Sequence, residues 1–312
     1  MNKRDIMLSL IHDSAPAPYT PAAFFLHFDP AYHHGQAAID KHLAFFQFTG
    51  MDFVKIQYEQ IQPARPPFRS PVDWADAPRY GKAFFEDPIA IARGLVQAVN
   101  REALVIMTIY SPFMWAGHLA GADTLNQHLR DDPAAVSKGL EIMTENVLEL
   151  VRGCKQAGVD GFYISTQGGE AFRFPGTDIF QRYVKPTDLA VWEAVSDCSF
   201  NILHVCDYVS GYADLSPFLD YPGHVVNASL TVGDQGLQPK QLSKLFGRPF
   251  MGGLERKGSI AIGSIDTIRD DVNTLLSQAP ERFIVGADCT VPSETPWEHL
   301  RVAIDTAHEQ RH

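Results

Sequence analysis

A histidine and two cysteines, His204, Cys206 and Cys289, are the residues of this sequence best suited to binding a metal ion. His204 and Cys206 are two residues apart in the apolar stretch "NILHVC", and residues at this spacing in a β-strand point to the same side. Catalytic zinc sites typically have three nitrogen, oxygen or sulfur ligands from the protein and one open position. The three residues therefore form a candidate zinc site, provided that the fold brings Cys289 to the other two.

A purely structural role is the alternative for the same residues. Free cysteine is among the most buried residue types and packs as a small hydrophobic group, and a histidine on a strand can simply hydrogen-bond a neighbour. For the other two cysteines we expect only this packing role. Cys154 lies in a helical pattern, and Cys198 lies just before the apolar stretch that contains His204.

The elements that must position these residues are short apolar runs that alternate with helical segments. Runs without strict polar alternation are typical of parallel strands that are buried on both faces. Eight alternations predict a (β/α)8 TIM barrel of the α/β class, as one domain over residues 1–312. No G-x-G-x-x-G pattern follows the first run, which disfavours an open dinucleotide-binding sheet. The eight predicted strands are 22–28, 52–58, 103–110, 161–165, 201–206, 224–230, 249–254 and 282–288.

The chemistry of such a barrel lies where the strands end, because all the carboxyl ends meet at one mouth. Cys289 follows the eighth predicted strand and Cys206 ends the fifth, so both are expected at this mouth. Six further strand-end residues are candidates for the site: His27, Gln57, Tyr110, Gln167, Asn227 and Arg256.

The segment 59–80 interrupts the alternation with a proline-rich sequence, "EQIQPARPPFRSPVDWADAPRY". It is too long for an ordinary connection between a strand and a helix. Two structures are open for it: a loop or lid over the barrel mouth, or a packed excursion that covers a helix.

Composition and charge exclude several classes of protein. The 312 residues carry 26 basic and 37 acidic side chains, a net charge of −11, and no basic stripe that would bind nucleic acid. No apolar run is long enough to span a membrane. The opening "MNKRDIMLSLIHDS" predicts an amphipathic helix rather than a secretion signal, because Asp5 and Asp13 interrupt it and no cleavage site follows. We therefore expect a cytoplasmic protein.

Four stretches resemble the uroporphyrinogen decarboxylase superfamily: "GVDGFYIST", "ILHVCD", "RPFMGGLER" and "RFIVGADCTVPSETPWEHLRVAIDTA". The resemblance implies the same (β/α)8 barrel. One branch of the superfamily contains corrinoid-linked methyltransferases, which hold zinc with His-x-Cys and a distant Cys. His204, Cys206 and Cys289 match that motif residue by residue, so the resemblance implies a zinc cofactor.

The sequence departs from the family at two functional regions. The N-terminal part, "SAPAPYTPAAFFLHFDPAYHHG", lacks the arginines with which true decarboxylases bind the carboxylates of their substrate. The second predicted strand ends in "KIQYEQ", without the functional aspartate of those enzymes. In the methyltransferases an acidic residue can complete the metal site near the end of the sixth strand, where this chain has Asn227.

The resemblance implies an enzyme that moves a methyl group from a corrinoid or similar donor to a thiol. Gln57, Tyr110, Gln167 and Arg256 are then candidate catalytic residues that orient the substrates, and His27 and Asn227 are candidate cofactor-binding residues. The expected partners are a small thiol or carboxylate substrate, a corrinoid protein and a second copy of the chain.

Two alternatives stay open at this point. One is a decarboxylase for uroporphyrinogen or a smaller carboxylic acid, with Arg256 or Arg69 as the carboxylate anchor. The other is a non-catalytic barrel that binds a corrinoid or tetrapyrrole.

Overall fold

Seven parallel strands form the central sheet of the computed structural model, which describes residues 2–12, 17–208 and 210–309. Each strand pairs with the next in the order β1-β2-β3-β4-β5-β8-β9, and β6 and β7 form a separate antiparallel hairpin. The α/β class and the parallel sheet predicted from the apolar runs are confirmed. The strands are β1 Phe53–Ile56, β2 Leu104–Tyr110, β3 Gly161–Thr166, β4 Ile202–Val205, β5 Val225–Asn227, β6 Thr231–Val232, β7 Gln235–Gly236, β8 Phe250–Leu254 and β9 Phe283–Ala287.

The helices differ in length, and the longest has a capping residue at each end. The longest, α6, begins after Asp132, whose side chain accepts from Ala135 N, and ends at Gly158, which has a left-handed φ of 93° that suits glycine. No helix in the described ranges is long and apolar enough to cross a lipid bilayer. The helices are α1 Lys3–His12, α2 Gly35–Thr49, α3 Lys82–Val99, α4 Pro112–Ala120, α5 Ala122–Asp131, α6 Pro133–Ala157, α7 Lys185–Ala194, α8 Pro239–Phe246, α9 Ser259–Ile262, α10 Ile265–Ser277 and α11 Trp297–Glu309.

The segment 22–28 is not the regular first strand that the sequence predicted. It makes two isolated bridges, Ala22 with Val285 and Leu26 with Val291, so the sheet is open with seven strands and an eight-stranded closed barrel is not confirmed. Pro21 and Pro30 flank the segment, and proline cannot donate the hydrogen bonds of a ladder. The segment still lies beside β9, where Ala23 N donates to Val285 O at 3.0 Å.

The proline-rich segment 59–80 packs against helices in its second half. Trp74 is fully buried and stacks on Phe68, with 4.2 Å between the ring centroids. A side chain at Gly139 of α6 would collide with the Trp74 ring, which shows how closely the two elements approach. The Trp74 indole N–H donates to His128 of α5 at 3.1 Å. Of the two structures left open by the sequence, this half is the packed excursion.

Asp52, the residue before β1, contacts both the N-terminal segment and the last helix through its side chain. Its buried carboxylate accepts from Ala22 N at 2.7 Å and from the Tyr19 hydroxyl at 2.8 Å. The ring nitrogen Nε2 of His308, near the end of α11, is 2.8 Å from the same carboxylate. One side chain therefore joins three parts of the chain that are distant in sequence.

We expect Asp52→Ala to lower the stability of the whole fold. Each buried partner left unsatisfied costs about 1–3 kcal/mol, so the melting temperature should fall by about 5 °C or more. Asp76→Ala is the control, because Asp76 is exposed and makes no side-chain hydrogen bond among the described residues. Equal melting temperatures for the two variants, measured by circular dichroism, would contradict this role of Asp52.

Candidate metal centre

His204, Cys206 and Cys289 come together at the carboxyl ends of β4 and β9. His204 lies within β4, Cys206 follows that strand directly, and Cys289 comes two residues after the end of β9. One ligand atom from each lies within 4.8 Å of the others, and all three residues are buried. The Cys289 sulfur is 3.4 Å from His204 Nε2. Ligands of a tetrahedral zinc ion are about 3.5 Å apart, so this donor set and its spacing fit that metal.

The His204 ring is oriented by stacking rather than by a hydrogen bond. It lies against Tyr163, with 5.0 Å between the ring centroids and 29° between the planes. The Tyr163 hydroxyl in turn donates to Asn227 Oδ1 at 2.6 Å. On the far side of the imidazole, His204 Nδ1 has no hydrogen-bond partner among the described residues. Nε2 is therefore directed at the cysteines by the packing of β3 and β5.

Cys206 receives a hydrogen bond from an amide whose orientation is fixed. Gln167 Nε2 donates to the Cys206 sulfur at 3.5 Å, while Gln167 Oε1 accepts from Arg173 at 3.2 Å. Arg173 is 1% exposed and forms an ion pair with the equally buried Glu170 at 2.7 Å. Because a guanidinium can only donate, it forces the amide nitrogen of Gln167 to face the sulfur.

The two thiols shift each other's pKa in opposite directions. The Cys289 thiol lowers the pKa of Cys206 well below its usual value, and His204 acts in the same direction. Cys206 raises the pKa of Cys289 well above its usual value for the same reason. Cys206 is therefore the thiol of the pair that ionises more readily, and the thiolate is the form of cysteine that binds metals.

A cavity of about 340 Å³ opens beside the three ligands. Its floor is polar and formed by Lys55, Gln57, Thr108 and Ser165, from three neighbouring strands. Its opposite wall is apolar and comes from α4 and α5. Among the described residues that line the cavity there is no aspartate or glutamate. The apolar side chains of that wall are Phe113, Met114, Ala122 and Leu125.

Four of the six other predicted site residues line this cavity. They share it with the three candidate ligands: His27, Gln57, Tyr110 and Gln167. Gln57 Nε2 lies 3.0 Å from the His27 ring, and His27 Nδ1 lies 2.9 Å from a carboxylate oxygen of Glu59.

Arg256 and Asn227 are not brought into the cavity. The Arg256 guanidinium donates to Asp207 at 2.9 Å and lines a second cavity of about 500 Å³ with Asp207 and Asp288. Asn227 is fully buried, and its amide nitrogen donates to Met251 O at 2.9 Å and to Ala287 O at 3.0 Å. Its amide is thus already occupied by hydrogen bonds within the fold.

Two charged residues of the cavity, Lys55 and Arg173, were not among the predicted site residues. Lys55 lies inside β1 rather than at its end, and Arg173 lies in the loop after β3. A signal for Lys55 was present, because it is a charged residue within the apolar run "DFVKIQY", two positions before Gln57 and thus on the same side of the strand. The sequence holds no comparable signal for Arg173.

Residues 43–310 match the family Uroporphyrinogen decarboxylase (URO-D). The match covers most of the 312 residues, and the chain belongs to that family. No curated protein matches the chain closely enough in sequence to be counted as a relative.

Solved structures with the same fold include two enzymes. A methyltransferase from Methanosarcina mazei superposes with a TM-score of 0.81 at 14% sequence identity, with 99% of each chain covered. A B12-independent methionine synthase from Shewanella sp. W3-18-1, in complex with selenomethionine, superposes with a TM-score of 0.61 at 14% identity. Here 95% of this chain and 97% of that one are covered. At this level of identity the likeness is one of fold.

We expect the protein to bind one zinc ion per chain through the three residues. His204→Ala and Cys289→Ala should each weaken zinc binding at least about 100-fold, because loss of a ligand exceeds the effect of losing an outer hydrogen bond. The measurement is elemental analysis of protein purified without chelators, followed by competition with a chromophoric chelator. Affinity should fall as the pH is lowered, because protons compete for the sulfurs.

Cys198→Ala is the matched control for these variants. Cys198 is a free, half-buried cysteine outside the cluster, so its loss should leave the zinc content unchanged. Equal zinc in Cys198→Ala and Cys289→Ala proteins would show that the metal, if present, lies elsewhere.

Proposed function

We propose that this member of the uroporphyrinogen decarboxylase family is a zinc-dependent methyltransferase that methylates a thiol bound at His204, Cys206 and Cys289. The observation that carries the proposal is the convergence of these three ligand atoms within 4.8 Å at the wall of a cavity. A site with three protein ligands and an adjacent cavity is the arrangement of catalytic rather than structural zinc.

The chemistry requires a thiolate at neutral pH, where a free thiol is mostly protonated. Zinc bound at this position would deprotonate a coordinated thiol and leave its sulfur able to attack a methyl group. The residues of the chain supply the rest: the apolar wall of α4 and α5 excludes water, and the polar floor binds the remainder of the thiol. Gln167 would stabilise a thiolate at Cys206 through the hydrogen bond that it donates to the sulfur.

The methyl donor is proposed to approach from the mouth rather than to enter the cavity. A volume of about 340 Å³ is near the lower end for pockets that enclose a drug-sized ligand. A corrinoid is much larger, so it would present its methyl group from outside, carried by a corrinoid protein. Exposed apolar side chains follow three of the strand ends and suit such a partner: Ile61, Phe172 and Tyr208.

Asn227 is assigned to positioning within this mechanism rather than to cofactor binding. Its amide holds the Tyr163 hydroxyl, and the Tyr163 ring holds His204. Arg256 lines the second cavity rather than the first. Its proposed role is to hold Asp207, the residue next to Cys206, in position through a hydrogen bond. Gln57 and Tyr110 remain the proposed substrate-orienting residues, because both line the cavity, and His27 lines it as well and remains the proposed cofactor-binding residue.

The proposal predicts methyl transfer from methylcobalamin to a small thiol, observed as the spectral change of the demethylated corrinoid. Zinc-loaded protein should accelerate this reaction, and Cys289→Ala should lower the rate at least about 100-fold, as expected for removal of a metal ligand. Cys198→Ala should retain the rate of the unaltered protein.

Two outcomes would contradict the proposal. Metal-free protein that decarboxylates uroporphyrinogen would show the family's decarboxylase chemistry instead. Zinc-loaded protein that binds a corrinoid without turnover of any thiol would indicate a binding barrel.

A further inference from the structure

Lys55 is buried in the floor of the cavity, where no carboxylate of the described residues forms an ion pair with it. The residue is 6% exposed, and its ammonium donates to Gln57 Oε1 at 2.5 Å and to Thr108 Oγ1 at 3.0 Å. It also lies over the rings of Phe25 and Tyr163, at 4.6 Å and 4.8 Å from their centroids. None of the ion pairs found in the described part of the chain includes Lys55.

All four contacts suit a positive charge, but none of them neutralises it. Amide and hydroxyl oxygens are neutral acceptors, and aromatic faces attract a cation only through their quadrupole. Burial lowers the pKa of Lys55 to about 7, and the charges of Cys289 and Glu59 oppose that shift. A buried cation without a counter-charge destabilises a fold. The placement of Lys55 therefore needs an explanation outside folding.

The residues that line the cavity indicate which group could supply a negative charge to neutralise the Lys55 ammonium. Among its described lining residues there is no carboxylate, and the acidic groups that remain are thiols and phenols. Burial raises the pKa of Tyr163 far above neutral, so its phenol stays uncharged. The sulfur groups at Cys206 and Cys289 are left as the source of negative charge.

We propose that Lys55 is the counter-charge of the thiolate formed at the metal centre. This inference rests on the proposed function. Zinc with two cysteine thiolates and a neutral histidine has no net charge, and binding of a substrate thiol as thiolate makes the centre negative by one. The Lys55 ammonium lies in the floor of the same cavity, and its positive charge brings the total charge of the site back to zero. It favours the ionised over the protonated form of the bound thiol.

The contacts of Tyr163 connect the two charges. Its ring contacts the Lys55 ammonium on one side of the cavity and the His204 imidazole at the metal centre. Because Asn227 fixes the Tyr163 hydroxyl, the ring cannot swing away from either group. The separation between the cation and the sulfur site is thus set by rigid parts of β1 and β3.

Other titratable groups near Lys55 are few. His42 of α2 lies behind Gln57, and burial lowers its pKa to about 4, so it is neutral at pH 7. Glu59 is engaged by His27 at the rim of the cavity. Cys289 is the remaining titratable neighbour. The negative charge with which the Lys55 ammonium would interact is therefore the one that forms when a bound thiol ionises.

The test measures thiol binding to cobalt-substituted protein as a function of pH. The probe is 2-mercaptoethanol, which has no acidic group that a lysine could bind directly, and the readout is the thiolate-to-cobalt charge-transfer absorption. Lys55→Met should move the midpoint of this absorption up by about one pH unit, and thus weaken probe binding about tenfold at pH 7. Affinity for cobalt without the probe should change little, because that centre is already neutral.

Melting temperature separates this role from a structural one. Removal of an unpaired buried charge should leave the melting temperature unchanged or higher. Lys185→Met is the matched control, because Lys185 is also buried but is ion-paired with Asp220 and lies outside the cavity. It should leave the midpoint where it is in the unaltered protein.

Three results would overturn the inference. The first is an unshifted midpoint in Lys55→Met protein that still binds cobalt, and the second is an equal shift in Lys185→Met. The third is a melting temperature lowered by more than about 5 °C in Lys55→Met, which would mark a structural lysine. Failure of the unaltered protein to bind cobalt would instead overturn the metal centre, and with it the proposed function.

Discussion

The buried amide of Asn227 is the interaction on which the geometry of the site depends. From β5 it accepts from Tyr163 on β3 and donates to the carbonyls of Met251 on β8 and Ala287 on β9. Ala287 is two residues from Cys289, and Tyr163 is the ring that holds His204. One amide therefore sets both the position of a sulfur ligand and the plane of the nitrogen ligand. A carboxylate at this position could not donate to the two carbonyls, so the hydrogen bonds within the fold require an amide here.

The sheet was largely predictable because its strands are buried on both faces. Seven of the eight predicted runs became paired strands, since continuous apolar sequence has few other places in a folded chain. The eighth, 22–28, has the same composition but is flanked by prolines, and its partners are single bridges to β9. Apolar content indicates that a segment is buried. It does not show that the backbone hydrogen bonds form a regular ladder.

The proximity of His204, Cys206 and Cys289 was predictable for a different reason, which is that the carboxyl ends of parallel strands meet at one edge of the sheet. Cys206 and Cys289 are 83 positions apart in the sequence, and only the topology brings them together. Arg256 also follows a strand end, but it lines the second cavity together with Asp207, while Cys206 lines the first. The rule did not identify Lys55, because this residue lies within β1, two residues before Gln57, and contributes to the floor of the cavity.

Three buried polar groups in or near the site lack a full set of partners among the described residues. The Lys55 ammonium has no counter-ion there, and His204 Nδ1 and the Tyr58 hydroxyl have no hydrogen-bond partner. Each of these burials costs free energy that an apolar side chain of similar size would save. Departures from the rules of a stable core are expected at sites where chemistry, rather than folding, determines the residue. Since Lys55, Cys206 and Cys289 line the same cavity of about 340 Å³, a thiolate formed there would offset the electrostatic cost of the buried ammonium.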